Sequence, residues 1–247
     1  GIWVAGAGGG ALRTSTDNGV TWNTQTSQFG TTTILAVAYG NGTWVAGGLG
    51  GTLRTSTDAI NWNTQTSNFG TSQIYSLAYG NGIWVAGGAG GAIRTSTDNG
   101  VTWNAQTSPT TSAINSIAYG NGTFVAAYPS NGVSGTILVS TNGTTWTSVA
   151  TQNAPFTTTM GTVTYGNGFF VANDTSGVIG ASSDGLSWTS LNTVFNSGSV
   201  MYTIAYGNGV FIASGGSGYL AYSSSFSSAI KTSTNDGVTW NTVSISQ

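Results

Sequence analysis

The chain contains no cysteine, no histidine and no glutamate. Disulfides and thiol chemistry are therefore excluded, and the usual zinc ligand sets lose most of their members. Charge is scarce as well. Only 4% of the 247 residues are charged, with four basic residues against six aspartates and a net charge of −2. Such a chain lacks the basic footprint of a nucleic-acid binder and the polybasic patch of a membrane-surface protein. No stretch approaches the roughly 18 continuous apolar residues that a membrane span needs. No secretory leader is visible, and the chain begins at Gly1 rather than methionine, as a processed or truncated polypeptide would.

What is present is glycine, 39 residues of it, together with abundant Ser, Thr and Asn and an aromatic content of 11%. Aromatic and β-branched residues at this level point to a folded β protein rather than to a disordered polar chain. A neutral surface of hydroxyls and amides repels its neighbours weakly, so packing against other subunits is easy.

An internal repeat organises the chain. "AYGNG" or a near copy recurs, placing Tyr39, Tyr79, Tyr119, Tyr165 and Tyr206 at intervals of 40, 40, 46 and 41 residues. A second phrase, "RTSTDNGVTWN" at Arg13 to Asn23, returns with variations and ends on Trp22, Trp62, Trp103, Trp146, Trp188 and Trp240. Each of the six copies divides into four short strands: A ("INSIAYG", Ile114 to Gly120), B ("TWVAGG", Thr43 to Gly48), C ("AIRTSTD", Ala92 to Asp98) and D ("VTWNAQT", Val101 to Thr107). Asn-Gly between A and B is a strong hairpin signal, because a type I′ turn needs positive φ at both central residues. Four antiparallel strands per 40 or so residues predict an all-β fold, a single β-propeller domain over residues 1–247 with six four-stranded blades. Gly1 aligns with the second residue of the Asn-Gly turn, so the first blade is expected to lack its innermost strand A. The seven residues after Trp240 are too few to supply it. The chain is therefore expected to be part of a longer polypeptide, with preceding residues or another chain closing the ring; a naturally gapped ring is the alternative.

"S-T-D-N-G-V-T-W" (Ser15 to Trp22 and Ser96 to Trp103) resembles the Asp-box, S-x-D-x-G-x-x-W, the bacterial-neuraminidase repeat of sialidase-like propellers and their many non-enzymatic relatives. Ser56 to Trp62, Ser140 to Trp146 and Ser182 to Trp188 are variants one residue shorter, with Asp58, Asn142 and Asp184 at the acidic position. Ser233 to Trp240 carries Asn235 there, with Asp236 beside it. The physical reading is structural. Ser15, Ser96, Asp17 and Asp98 can tie up turn amides, glycine takes the positive-φ position, and tryptophan covers the C–D hairpin. Asparagine can replace aspartate in a turn but not in a catalytic carboxylate. Calcium-loop D-x-D spacing is missing, so no metal and no cofactor is expected.

The resemblance raises sialidase chemistry, which in that family implies an arginine triad, a tyrosine nucleophile paired with glutamate, and an aspartate acid/base. Arg13, Arg54 and Arg94 occupy one repeat register, whereas a triad converging on one ligand would come from different positions; later copies place Leu138, Gly180 and Lys231 there. No glutamate exists, and only Asp174 lies away from the boxes. A two-carboxylate glycosidase pair and a histidine-based triad both lack candidates. The chain is expected not to be an enzyme.

Two surfaces remain as candidates. Arg13, Arg54, Arg94 and Lys231 fall in copies one, two, three and six, contiguous in a closed ring. They are expected to bond neighbouring boxes or carbonyls, with an anion-binding patch as the alternative. At the end of the ring carrying the variable B–C turns and D–A linkers, Tyr128, Tyr219, Tyr222, Phe226, Phe29 and Phe69 are expected at the rim, beside Phe156. Aromatics among amides suit a neutral glycan; the alternative is loop packing or subunit contact. Trp3, Trp44, Trp84, Phe124, Phe170 and Phe211 share one strand-B position and are expected in the core. The function expected is a structural or adhesive module of a secreted, cell-surface or virion appendage. Its partners would be other protein subunits or a cell-surface receptor, with a glycan as the alternative, but neither nucleic acid nor membrane. Lectin-like binding of a neutral glycan and sialidase-like hydrolysis are the alternatives, with a photosystem-assembly-like scaffold of the same repeat family as a further one.

Overall fold

The structure, a computed structural model, describes residues 1–129, 136–149, 154–191, 200–207, 209–216, 228–233 and 241–243, the last two segments and residues 200 and 216 as backbone only. The chain divides into two compact units, Gly1–Ile114 with Asn142–Thr145, and Asn115–Thr141 with Trp146–Gln247.

The first unit holds three antiparallel sheets. One has three strands, β1 (Trp3–Gly6), β2 (Leu12–Ser15) and β3 (Asn23–Gln25), paired in that order. The next runs β4 (Ile34–Gly40), β5 (Thr43–Gly48), β6 (Leu53–Ser56) and β7 (Asn63–Gln65). The third runs β8 (Ile74–Gly80), β9 (Ile83–Gly88), β10 (Ile93–Ser96) and β11 (Asn104–Gln106). The second unit holds three four-stranded sheets. They are β12 (Ser116–Gly120) to β15 (Thr147–Ser148) through β13 (Thr123–Tyr128) and β14 (Thr136–Ser140); β16 (Met160–Gly166) to β19 (Thr189–Leu191) through β17 (Phe169–Asp174) and β18 (Ile179–Ser182); and β20 (Val200–Gly207) to β23 (Asn241–Val243) through β21 (Val210–Gly216) and β22 (Ser228–Ser233).

Local sequence explains these hairpins. At the first turn of the second sheet Asn41 and Gly42 have φ of 47° and 74°. Both central residues are thus left-handed, which suits the strand twist and which only Asn and Gly adopt cheaply. The outermost strands are shorter than the sequence pattern suggests, because the turn phrase extends through its tryptophan. In the third sheet the strand begins at Asn104, and the Trp103 indole N–H closes the turn on the Gly100 carbonyl at 2.8 Å.

Neighbouring sheets interlock through a glycine and a ring. Each first strand ends in Tyr-Gly, and the tyrosine lies against the strand-B aromatic of its own sheet, with ring centroids 5.2 Å apart for Tyr79 and Trp84 and 4.8 Å for Tyr165 and Phe170. At Gly40, Gly120 and Gly166 the glycine faces the tyrosine of the following sheet. A Cβ on Gly40 would collide with Tyr79, one on Gly120 with Tyr165 and one on Gly166 with Tyr206. A second tie joins the turns, as the Asn41 side-chain amide donates to Asn99 Oδ1 at 2.8 Å in unit one, and Asn121 donates to the Ser183 carbonyl at 3.1 Å in unit two. Beneath these ties each unit has a core; that of the first centres on Val45, Leu53, Phe69, Ile74, Trp84 and Trp103, and that of the second on Ile137, Val139, Phe156, Phe170 and Trp188.

The glycine–tyrosine contact is testable. Gly40→Ala should lower stability in urea by about 1–3 kcal/mol, the usual cost of overpacking. In a Tyr79→Ala background the same change should cost distinctly less, because the ring it strikes is gone. Equal costs in both backgrounds would show that the contact does not govern this position.

Candidate functional site

The recurring turn phrase is a closed hydrogen-bond unit. In its first copy Ser15 donates to Asp17 Oδ1 at 2.7 Å, the Thr21 amide donates to the same oxygen at 2.9 Å, and the Thr21 hydroxyl donates to Oδ2. Asp98 repeats this with Ser96 and Thr102. Asp58 accepts from Ser56, from the Ile60 and Asn61 amides and from the Asn61 side chain. Asp184 accepts from Ser182 and the amides of Leu186 and Ser187. At Asn142 an amide oxygen receives the Thr144 and Thr145 N–H groups at 2.9 and 2.8 Å, so the turn forms without a carboxylate. The tryptophan N–H groups of Trp22, Trp62, Trp103 and Trp188 bond carbonyls within their own turns. Bonds from the Thr21 and Ser15 hydroxyls, then the Thr21 amide, hold Asp17 down to about 2. At Asp98 burial pushes upward, but bonds from Ser96 and Thr102 outweigh it and the carboxyl again titrates at about 2. Asp58 lies below the usual range chiefly through the Asn61 amide and side chain, and Asp184 chiefly through the Ser187 amide. Carboxylates held ionised by local donors are poorly placed to deliver a proton near neutral pH.

Asp174, the one aspartate away from the phrase, is fully buried. Its Oδ2 accepts the amides of Thr157 and Thr158 at 2.9 and 3.1 Å, and its Oδ1 accepts the Ser176 amide and hydroxyl and the Val178 amide at 3.0, 2.7 and 3.0 Å. It ties the turn after β17 to the segment entering β16. Among the described residues no group of three His, Cys, Asp or Glu could hold a metal.

The arginines are engaged with carbonyls and rings. Arg54 lies 5.0 Å from the Phe29 centroid, donates twice to the Gln28 carbonyl at 3.1 and 2.8 Å and once to the Leu53 carbonyl at 2.9 Å. Arg94 stands 5.1 Å from the Phe69 centroid and bonds the carbonyls of Asn68 and Ile93. This corrects the placement of Phe29 and Phe69 at an accessible rim. They are only 3% and 4% exposed, because each is roofed by the arginine of the following sheet. Tyr128, also expected at the rim, is buried within β13, and Phe156 is buried in the second unit's core. Arg13 is exposed, and its side chain makes no hydrogen bond among the described residues. Lys231 is in β22, of which only the backbone is described. Tyr219, Tyr222, Phe226, Asn235 and Trp240 lie outside the described residues.

A different surface comes forward, and it includes Trp3, which the sequence places in the core. Trp84, Phe124, Phe170 and Phe211 are buried at the strand-B position, but their counterpart Trp3 is 55% exposed. Trp22 is 37% exposed where Trp62 and Trp103 are buried, and Tyr39 is 57% exposed where Tyr79 is half-buried. All three lie on the first sheet or on β4 beside it. Among the described residues β1 pairs with β2 alone, and a residue's repeat position predicts burial only where the neighbouring strand is present.

Comparison with solved structures fixes the fold as a β-propeller. A structure described as YCF48 bound to D1 peptide superposes at a TM-score of 0.70 with 18% identity, covering 97% of this chain and 76% of its own. YCF48 from Cyanidioschyzon merolae gives 0.66 with 16% identity, covering 96% and 79%. An ancestral GH74 enzyme gives 0.67 with 17% identity over 85% of this chain and 31% of its own. No family model and no curated protein sequence matches the chain.

Two measurements probe these arrangements. Arg54→Met should cost about 1–3 kcal/mol in urea, from lost charge-assisted hydrogen bonds and the cation–ring contact, whereas Arg13→Met should stay within about 0.5 kcal/mol. The turn aspartates set the acid limb of stability. The folded pKa values of Asp17 and Asp98, about 2, lie below the ordinary 3.8, and those of Asp58 and Asp184 are lowered too, so the stabilisation is present above 3.8 and lost as pH falls through the folded value. With no histidine in the chain, urea midpoints should be flat between about pH 5 and 8 and decline between about pH 4 and 2, and Asp98→Asn should flatten part of that decline.

Proposed function

We propose that this chain is a non-enzymatic β-propeller module, built on Asp-box hairpins, that works through contact with other proteins. One observation carries the reading: each described aspartate has at least one carboxylate oxygen held by several donors of its own turn or an adjoining linker, in a chain without Glu, His or Cys. An acid/base pair for glycoside hydrolysis needs two carboxyls free to face a substrate and to hold different protonation states. Four of the described aspartates instead have pKa values pushed down together, and the fifth is buried under five short hydrogen bonds.

Protein partners are supported on two counts. The exposed side chains in the first sheet and beside it are large and aromatic, and one structural neighbour is described with a bound peptide. Glycan recognition finds less support, since Phe29, Phe69 and Tyr128 are buried. The low charge and the near-identical first copies fit a repeated building block of an extracellular or virion assembly.

Incubation with fluorogenic sialosides and β-glucosides should give no turnover above buffer, and a glycan array should stay blank. Turnover that disappears in Asp174→Asn would overturn the non-enzymatic reading. Array binding lost on Tyr222→Ala would replace it with a lectin.

A further inference from the structure

Tyr-Gly-Asn-Gly recurs unchanged at residues 39–42, 79–82 and 119–122, in the hairpin between the first and second strands of a sheet. In these copies Gly40 pairs with Thr43, Gly80 with Ile83 and Gly120 with Thr123, so each Asn-Gly step lies outside the ladder. The backbone is alike in all three. Asn41, Asn81 and Asn121 have φ of 47°, 50° and 51°, and Gly42, Gly82 and Gly122 have φ of 74°, 78° and 76°. All of these Asn and Gly residues are exposed.

The side chains set the copies apart. Asn41 donates its amide to Asn99 Oδ1 at 2.8 Å, and Asn121 donates to the Ser183 carbonyl at 3.1 Å. In a fourth copy, at residues 165–168, Asn167 is engaged as well. Asn81 makes no side-chain hydrogen bond among the described residues. A Cβ on Gly82 would meet nothing within 4 Å, so the approach to its nitrogen is open. The Asn-Gly steps of the turn phrase differ again. There the Gly19 and Gly100 amides donate to the Ser15 and Ser96 hydroxyls, each at 2.9 Å. Gly100 is also buried, with Thr55 and Val45 beside it. Asn142 holds two turn amides with its side-chain oxygen.

A free asparagine followed by glycine carries a reaction of its own, and asparagine is among the thermolabile residues for this reason. The Gly82 nitrogen, having given its proton to hydroxide, bonds to Asn81 Cγ. The bond from Cγ to Nδ2 breaks, and ammonia leaves. The product is a five-membered succinimide. Water then opens the ring at one of two bonds. Cleavage between Cγ and the Gly82 nitrogen gives aspartate. Cleavage between the Asn81 carbonyl carbon and that nitrogen gives isoaspartate. Water is the only co-reactant, and nothing is oxidised or reduced. The attack needs the turn to open locally, and the flanking Gly80 and Gly82 make that rotation easy. At Asn41 and Asn121 a side-chain hydrogen bond must break first. At Gly19 and Gly100 the nucleophile itself is occupied.

We propose that Asn81–Gly82 is a self-modification site of the folded protein, deamidating to aspartate and isoaspartate ahead of the other described Asn-Gly steps. Both products add a negative charge to a chain whose net charge is −2. Isoaspartate also adds a backbone methylene to a two-residue loop, and loop length fixes the register of β8 on β9.

Chymotryptic mapping of the 247-residue chain, kept folded in mildly alkaline buffer, tests the proposal. Residues 80–84 give GNGIW, 40–44 give GNGTW and 120–124 give GNGTF, which differ in mass. Deamidation raises a fragment by one mass unit, and its isoaspartyl form elutes separately. Asn81 should react about fivefold or more faster than Asn41 and Asn121, the ratio that one hydrogen bond sustains. In concentrated urea the three should react at like rates, because Tyr-Gly-Asn-Gly is common to all of them. Asn99→Gly removes the acceptor for Asn41 and keeps a residue suited to the left-handed φ of 58°, so it should bring Asn41 up to the rate of Asn81. The folded-against-urea comparison uses the unaltered chain and stands whether or not that variant folds. Equal rates at the three sites in the folded chain would overturn the proposal. So would a ranking that survives in urea, a faster reaction at Asn18 or Asn99, or an Asn41 rate unmoved in folded Asn99→Gly.

Discussion

The seating of a glycine against the next tyrosine is the constraint on which the rest of each unit depends. A first strand that ends in Tyr-Gly offers a ring to its own sheet and an absent side chain to its neighbour. Gly40 must be bare because Tyr79 occupies the place its Cβ would take. Close packing at protein-interior density leaves no room for compromise at such a point. Once that contact sets the distance between sheets, the turn amide of Asn41 reaches Asn99 and the turn glycine Gly100 rests on the methyls of Val45 and Thr55. Arg54, further out, then lies at the right height to cover Phe29.

The carboxylates belong to the same construction. A chain with ten charged residues might have been expected to keep them free for solubility or chemistry. Instead Asp17, Asp58, Asp98 and Asp184 lie where a tight turn leaves several amides pointing inward at one spot. An acceptor-only group with two oxygens satisfies those donors better than a hydroxyl could, and its charge strengthens each bond. Asn142 shows that the geometry, rather than the charge, is indispensable, since its single amide oxygen collects the same two backbone donors. Arg54 and Arg94 follow the complementary logic, with a planar donor fork satisfying carbonyls at the edge of a sheet while its flat face covers an apolar ring.

Much of the fold was legible because its determinants are local. Asn-Gly turns, alternating short strands and a repeat near 40 residues need no knowledge of tertiary contacts, and the antiparallel sheets follow from them. The rim was misread because burial at Phe29 and Phe69 is decided by residues one copy further along. Phe29 is roofed by Arg54, and no composition rule for a polar linker foresees that cover. Trp3 was misread in the opposite sense. Its register matches four buried aromatics and the half-buried Trp44, and the pattern correctly identifies its strand, but burial is a property of the pair, and among the described residues β1 pairs with β2 alone. The turn serines and aspartates were legible in their role, since the residues they bond lie within a few positions in the sequence.

Repetition lets one copy of a position be judged against the others. In a single-copy protein an exposed tryptophan says only that apolar area is uncovered, and scattered examples need no explanation. Here the same position is filled in five other sheets, so its preferred partner has been specified repeatedly, by residue type and register. Exposure at Trp3 and exposure at Tyr39 are two separate deficits, one of a ring and one of a glycine, and they happen to be the two faces of one dipeptide. Among the described residues both follow from the pairing of β1 with β2 alone.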